Sequence, residues 1–150
     1  MLYFIVAGAI IFGRFMTATR FSFELASWIQ GLALPAPAVM CILIAIYLVG
    51  GCFMDSLALV TLTIPIFFPI VMNLGFDPIW FGVVIILVGE MGMITPPVGV
   101  NVYVIKGIAP EIPLETIFRG IMPFTIAVMV CLVIVLFFPQ ITLFLPGLFS

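Results

Sequence analysis

The residues able to do chemistry in this chain fall in two short stretches. One is Glu90-Met91-Gly92-Met93-Ile94-Thr95-Pro96-Pro97-Val98-Gly99-Val100-Asn101, which sets an acid, a hydroxyl, an amide and a Pro-Pro pair inside an apolar run. The other is Gly50-Gly51-Cys52-Phe53-Met54-Asp55-Ser56, where one apolar run stops and the next begins. A helix ending near Gly92 would present free carbonyls, its negative end. A helix beginning at Pro96, with Thr95 as its N-cap, would present free N–H groups, its positive end. One such break offers ligands for a cation and a seat for an anion within a few ångströms, as discontinuous membrane helices do. In the second stretch, glycines let backbone approach a ligand closely, and Asp55 or Ser56 can cap the returning helix. Carbonyl oxygens together with Thr95, Asn101, Ser56 and Asp55 suit a hard cation such as sodium, whereas a transition metal would want thiolate or imidazole.

Each of these residues also has a plainer reading. Asp55 alone is a good helix cap. Glu90, placed at membrane depth, can serve as a structural hydrogen-bond donor when neutral, as a proton carrier, or as an acid of a ligand site. Asn101 can join helices. Pro65 and Pro69 read as kinks, and the methionines as packing. The chain has no histidine, the commonest general base and zinc ligand. Cys41, Cys52 and Cys131 are far apart in apolar surroundings and read as buried thiols.

Lipid must be the solvent for the elements that carry these residues. Of 150 residues, 66% are hydrophobic and 7% charged, more apolar surface than a water-soluble globule can hide. No basic cluster follows a phosphate backbone, which argues against nucleic acid. The fold class expected is an all-α membrane protein. The apolar run Leu2 to Gly13 is about 18 Å long as a helix, too short for a hydrocarbon core of about 30 Å. The chain thus reads as if cut from something longer. Arg14 to Leu34 mixes polar and aromatic residues, as an interfacial amphipathic helix does. Ala38 to Val49 and Leu57 to Phe76 flank the glycine-rich stretch. They read equally as a re-entrant hairpin or as two ordinary spans. Asp77-Pro78 opens the next element, with Asp77 as N-cap and Pro78 at the first helical position. Pro78 to Ile108 is long enough to span once, with the break at its centre. Ile121 to Leu145 is the clearest span, bent at Pro139. The segments read as 1–34 (truncated span plus interfacial arm), 35–76 (re-entrant hairpin or two spans), 77–109 (discontinuous helix) and 110–150 (final span). Lys106 and Arg119 flank one loop, and Arg14 and Arg20 another, so charge alone leaves orientation undecided; the Lys106/Arg119 loop is favoured as cytoplasmic.

Several stretches together resemble the large membrane (permease) subunit of tripartite ATP-independent periplasmic (TRAP) transporters. They are Gly50 to Ser56, Thr63-Ile64-Pro65-Ile66-Phe67-Phe68-Pro69, Gly75-Phe76-Asp77-Pro78-Ile79-Trp80-Phe81-Gly82, Glu90 to Asn101, and Pro139-Gln140-Ile141. The resemblance covers essentially the whole chain. It implies the ion-transporter superfamily fold, of which this would be the second inverted repeat, with a re-entrant hairpin and a discontinuous helix. It further implies a multi-pass protein of the bacterial inner membrane, with the hairpin opening to the periplasm and the C-terminus periplasmic. Transport would be sodium-driven and elevator-like, with no other cofactor. A small membrane subunit and a soluble periplasmic binding protein would deliver a carboxylate-bearing solute, C4-dicarboxylate-like or another organic acid. Gly50, Gly51, Asp55 and Ser56 would then face Gly92, Thr95, Pro96, Pro97, Gly99 and Asn101 around one sodium site. The family's large subunit is much longer than this chain, so its N-terminal half would be a missing partner and the chain alone should not transport. Two other classes are weighed beside this one: an inactive truncated or structural membrane subunit, and an intramembrane hydrolase using Asp55 and Glu90 as an acid pair. The second lacks the GxGD signature of aspartyl intramembrane proteases.

Overall fold

The computed structural model describes residues 2–31, 34–96 and 98–148, and every regular element among them is an α-helix. The first, α1 (Leu2–Ala18), continues through Arg14 to 17 residues, about 26 Å. That is longer than its apolar run: the helix continues past Arg14, and the Thr17 hydroxyl donates back to the Gly13 carbonyl at 2.9 Å. Arg20 then adopts φ 54°, a left-handed turn, and α2 (Phe21–Gly31) departs at 64° to α1. The expected segment 14–34 is thus divided between the end of α1 and the separate helix α2.

The next two helices correct the half-length expected before the glycines. Helix α3 (Ala36–Phe53) runs through Gly50 and Gly51, and α4 (Ser56–Asn73) follows after Met54 and Asp55; each has 18 residues. Glycine weakens a helix in water but does not end one in a setting that leaves no other partner for its backbone groups. By length and apolarity α3, α4 and α7 (Leu114–Phe137) each suffice to cross a membrane. Between α4 and α7 lie α5 (Pro78–Ile94) and the short α6 (Val100–Ile108), and α8 (Gln140–Gly147) ends the described chain. Helix α5 starts as the sequence predicts: the Asp77 carboxylate accepts from Ile79 N at 2.8 Å and Trp80 N at 3.2 Å, with Pro78 beside it. At Pro139 the final apolar run is interrupted rather than continuous: α7 ends at Phe137 and α8 begins at Gln140.

The core forms where α3, α4, α5 and α7 meet, around Tyr47, Val71, Phe81, Val84 and Val88. Tyr47 is fully buried, and its hydroxyl lies 2.6 Å from that of Thr63. Thr63 gives its own proton to the Leu59 carbonyl at 2.7 Å, so Tyr47 is the donor and α3 is tied to α4. Outside this core the surface is apolar: Phe124 and Phe137 on α7 are 69% and 77% exposed. Such a surface is stable against lipid, and with several helices able to cross, this is a multi-pass membrane protein. The expected burial of the cysteines holds for Cys52 alone, since Cys41 and Cys131 lie on that exposed surface.

Helices α3 and α5 cross with no side chain between them. A Cβ at Gly51 would stand 2.7 Å from the Gly89 carbonyl oxygen, and one at Gly92 would stand 2.7 Å from the Leu48 carbonyl and 2.8 Å from Gly51 Cα. Gly89 and Gly92 lie one turn apart on α5, the small-residue stripe that lets membrane helices pack backbone to backbone. A Cβ at Gly82, also on α5, would meet nothing within 4 Å. We expect Gly92→Ala to destabilise the fold by about 1–3 kcal/mol through overpacking, and Gly82→Ala to be neutral or slightly stabilising. Thermal unfolding in detergent micelles measures both, and equal tolerance at the two positions would refute the crossing.

Candidate functional site

The glycine crossing brings the two chemical stretches together. Asp55 sits in the break between α3 and α4 as the N-cap of α4, its Oδ2 accepting from Leu57 N at 3.1 Å and Ala58 N at 3.4 Å. The carboxylate thus meets the positive end of the helix. Ser56, the first residue of α4, donates from Oγ to Glu90 Oε1 at 2.6 Å, across to α5. A Cβ on Gly89 would be 3.3 Å from Ser56 Cβ, so the two helices are near contact here as well. Just before the break, buried Cys52 points its thiol at the Pro96 carbonyl at 4.0 Å. The α3–α4 break therefore lies against the C-terminal end of α5 and the segment after it.

That segment differs from expectation in its capping. Helix α5 runs on past Gly92 to Ile94, and α6 starts at Val100 rather than at Pro96. Thr95 is the C-cap of α5, not the N-cap of the next helix. Its hydroxyl donates back to the Met91 carbonyl and its N–H to the Gly92 carbonyl at 3.2 Å. The reason is local: a residue before proline is kept out of the helical region, and Thr95 has ψ 139°. A threonine side chain in that position reaches the last turn behind it more readily than a helix five residues ahead. Proline supplies no N–H either, so Pro96 could not have been an anion-binding donor itself. Gly99 instead caps α6, at φ 62° and ψ 78°, where a Cβ would lie 3.3 Å from the Thr95 carbonyl and 3.4 Å from the Phe118 ring. Its left-handed backbone is the one place in the described part of the break where glycine is required by conformation. Pro97 lies outside the described residues.

Of the proposed site residues, Gly51, Asp55, Ser56, Glu90, Gly92, Thr95 and Pro96 thus gather where the α3–α4 tip meets the end of α5. Gly51 and Gly92 are filled by one another, which makes them packing residues of this site rather than open ligand approaches. Gly50 lies within the last turn of α3 and faces the Leu59 side chain. Gly99 and half-buried Asn101 belong to the start of α6. Oxygen atoms are plentiful around the tip: the Asp55 and Glu90 carboxylates, the Ser56 and Thr95 hydroxyls, and the terminal carbonyls of α5. Among the described residues no cluster of three His, Cys, Asp or Glu side chains is present to hold a metal ion. Sequence reasoning missed Gly89, although its spacing of three from Gly92 in an apolar helix is the signal for a close crossing.

Comparison with known proteins matches residues 1–141 to the family described as tripartite ATP-independent periplasmic transporter, DctM component. The C4-dicarboxylate TRAP transporter large permease protein DctM of Pseudomonas aeruginosa is 36% identical over 98% of this chain and 34% of its own length. The sialic acid TRAP transporter large permease protein SiaM of Vibrio cholerae is 36% identical over 96% of the chain and 34% of its own length. The isethionate TRAP transporter permease protein DctMQ of Oleidesulfovibrio alaskensis is 31% identical over 98% of the chain and 23% of its own length. The chain therefore spans about a third or less of the length of these relatives, all three named as permeases rather than enzymes.

The capping geometry has a direct test. Replacing Asp55 with Ala removes the side-chain acceptor for two N–H groups of α4 and should cost about 0.5–2 kcal/mol of stability, whereas Asp55→Asn should retain most of it. Unfolding in micelles reads the difference, and equal losses in the two variants would argue that charge, not capping, is what Asp55 contributes to the fold.

Proposed function

The chain belongs to the DctM component family of TRAP transporters, and we propose that it forms one inverted repeat, the C-terminal one, of a permease that imports carboxylate-bearing solutes with sodium. The observation that carries this reading is the meeting of two helix interruptions, Met54-Asp55 and Thr95–Gly99, across the Gly51–Gly92 crossing. Interrupted helices at membrane depth need a polar cavity or protein around them. Opposed interruptions of this kind supply carbonyls and hydroxyls for a cation beside N–H groups for a carboxylate.

In this reading α3 and α4 form a re-entrant hairpin rather than two full spans. What supports it is that the tip meets α5 at Glu90 and Gly92, with α6 still to come, rather than beyond the end of that pair. Helices α5 and α6 then act as one discontinuous span covering 77–109, and α7 as the final one in 110–150. Helix α2, within 1–34, lies in the interface, with Phe23 and Trp28 turned outward. Sodium is the only ion required, held by carbonyls of the α5 end with Thr95, Ser56 and Asp55. Glu90 orients the tip through Ser56. A small membrane subunit and a periplasmic binding protein complete the assembly in the bacterial inner membrane, and the hairpin moves with its solute in an elevator-like step. Relatives named for C4-dicarboxylate, sialic acid and isethionate all handle organic anions, and the substrate class proposed is of that kind.

The test is uptake by proteoliposomes holding a permease that contains this segment, with its small subunit and binding protein. We expect uptake of a carboxylate solute to track the inward sodium gradient. Thr95→Ala and Asp55→Ala should each raise the sodium concentration for half-maximal uptake severalfold. Sodium dependence unchanged in both variants would sink the proposed ion site while leaving family membership intact.

A further inference from the structure

Helix α4 contains Pro65 and Pro69, spaced so that one exposes a carbonyl on the other. Pro69 has no N–H, so the Pro65 carbonyl four residues earlier has no donor within its own helix. Ser22, near the start of α2, supplies one: its Oγ donates to the Pro65 oxygen at 2.7 Å. Ser22 is only 3% exposed, so water cannot take its place. The remaining contact between α2 and α4 is apolar: Ala26 packs with Ile70 and with Val39 of α3, and Leu25, Ile29, Phe67 and Leu74 surround them. Beside the hydrogen bond, a cavity of about 270 Å³ lies between Thr17 and Phe23 on one side and Ile64, Phe68 and the two prolines on the other. Packing there is open, so the directional tie between the two helices is the Ser22 bond. Leaving the carbonyl bare in an apolar surrounding would be costly.

We infer that Ser22 is a positioning residue: by satisfying the carbonyl that Pro69 leaves bare, it latches α2 to α4 so that the two move as one body. Helix α2 turns Phe23 and Trp28 outward, 57% and 64% exposed. Where α2 lies in the interface, a point that rests on the function proposed above, the latch also sets the depth of α4 in the bilayer. The prolines of α4 are then an attachment point for the arm, in addition to any effect they have on the course of the helix.

Hydrogen exchange of the 150-residue chain in lipid nanodiscs tests the latch without any transport measurement, so its result stands whether or not the transport reading survives. Ser22→Ala should speed exchange of the α2 amides about tenfold and leave α7 unchanged. Ser22→Cys, nearly the same shape but a weak donor, should do the same, and Ser22→Thr, which keeps the hydroxyl, should restore protection. Pro69→Ala gives the Pro65 carbonyl a helical donor that competes with Ser22. It should loosen α2 by a similar factor, and the double variant Ser22→Ala with Pro69→Ala should be no looser than either single one. Two results would overturn the latch. One is an α2 indifferent to both Ser22→Ala and Ser22→Cys. The other is a Ser22→Ala effect that adds in full to that of Pro69→Ala.

Discussion

The passage of α3 across α5 with only glycine between them is the constraint on which the rest depends. At Gly51 and Gly92 the separation leaves no room for a single methyl group. The distance between the helices at that point sets the spacing of everything C-terminal to it on each of them. Just past the contact α3 ends at Phe53, and α4 opens with Ser56 already within hydrogen-bonding reach of Glu90. On the other side α5 ends at Ile94, and Pro96 carries its carbonyl towards Cys52. Polar side-chain atoms from both interruptions are assembled by a contact that is itself made of backbone alone. Dispersion between close backbones holds that contact, because lipid gives helices no hydrophobic reason to associate.

A second constraint runs through the same helices. Proline in a membrane helix leaves a carbonyl bare, and a donor from elsewhere offsets that cost. The chain answers this twice with a side chain from a different helix. Ser22 serves the carbonyl orphaned by Pro69, and the Trp80 indole donates at 2.8 Å to the Val135 carbonyl, which Pro139 would otherwise leave without a donor. Pro69 and Pro139 are thereby turned from local defects into long-range ties, one joining α2 to α4 and the other α5 to α7.

The sequence makes some of these features legible and hides others for identifiable reasons. Asp77-Pro78 is readable because cap and first-turn residues act within four positions of each other. The interruption at Pro139 and the existence of a break after Ile94 are readable because the residue before a proline is biased out of the helical region, although Pro65 and Pro69 remain within α4. Helix ends at the glycines are not. Glycine is a helix breaker in water by default, but Gly50, Gly51, Gly89 and Gly92 are helical here, and their partners across the α3–α4 and α3–α5 contacts lie elsewhere along the chain. The direction of the Thr95 hydroxyl is hidden for a similar reason: threonine serves either end of a helix, and only the backbone angle imposed by Pro96 decides. Residues of the candidate site are recognisable as types, yet which of them touch depends on the glycine crossing, which composition does not reveal. The family is legible from whole motifs, since these combine many positions at once.

The hydroxyl pairing between α3 and α4 has a consequence for how such a chain is built. Tyr47 and Thr63 are 16 positions apart, so α3 and α4 can be pinned together as soon as α4 has been synthesised. The bond from Ser56 to Glu90 spans 34 positions and that from Ser22 to Pro65 spans 43. Trp80 must wait for a carbonyl 55 positions later, near the end of the described chain. Short closures cost the least chain entropy and form first. A nascent chain emerging from its N-terminus therefore meets a ready-made helical pair, then fits α5 against it, and receives α7 last as the clasp. By chain entropy alone, the spacing of these four bonds favours closing α3 on α4 first and α7 on α5 last.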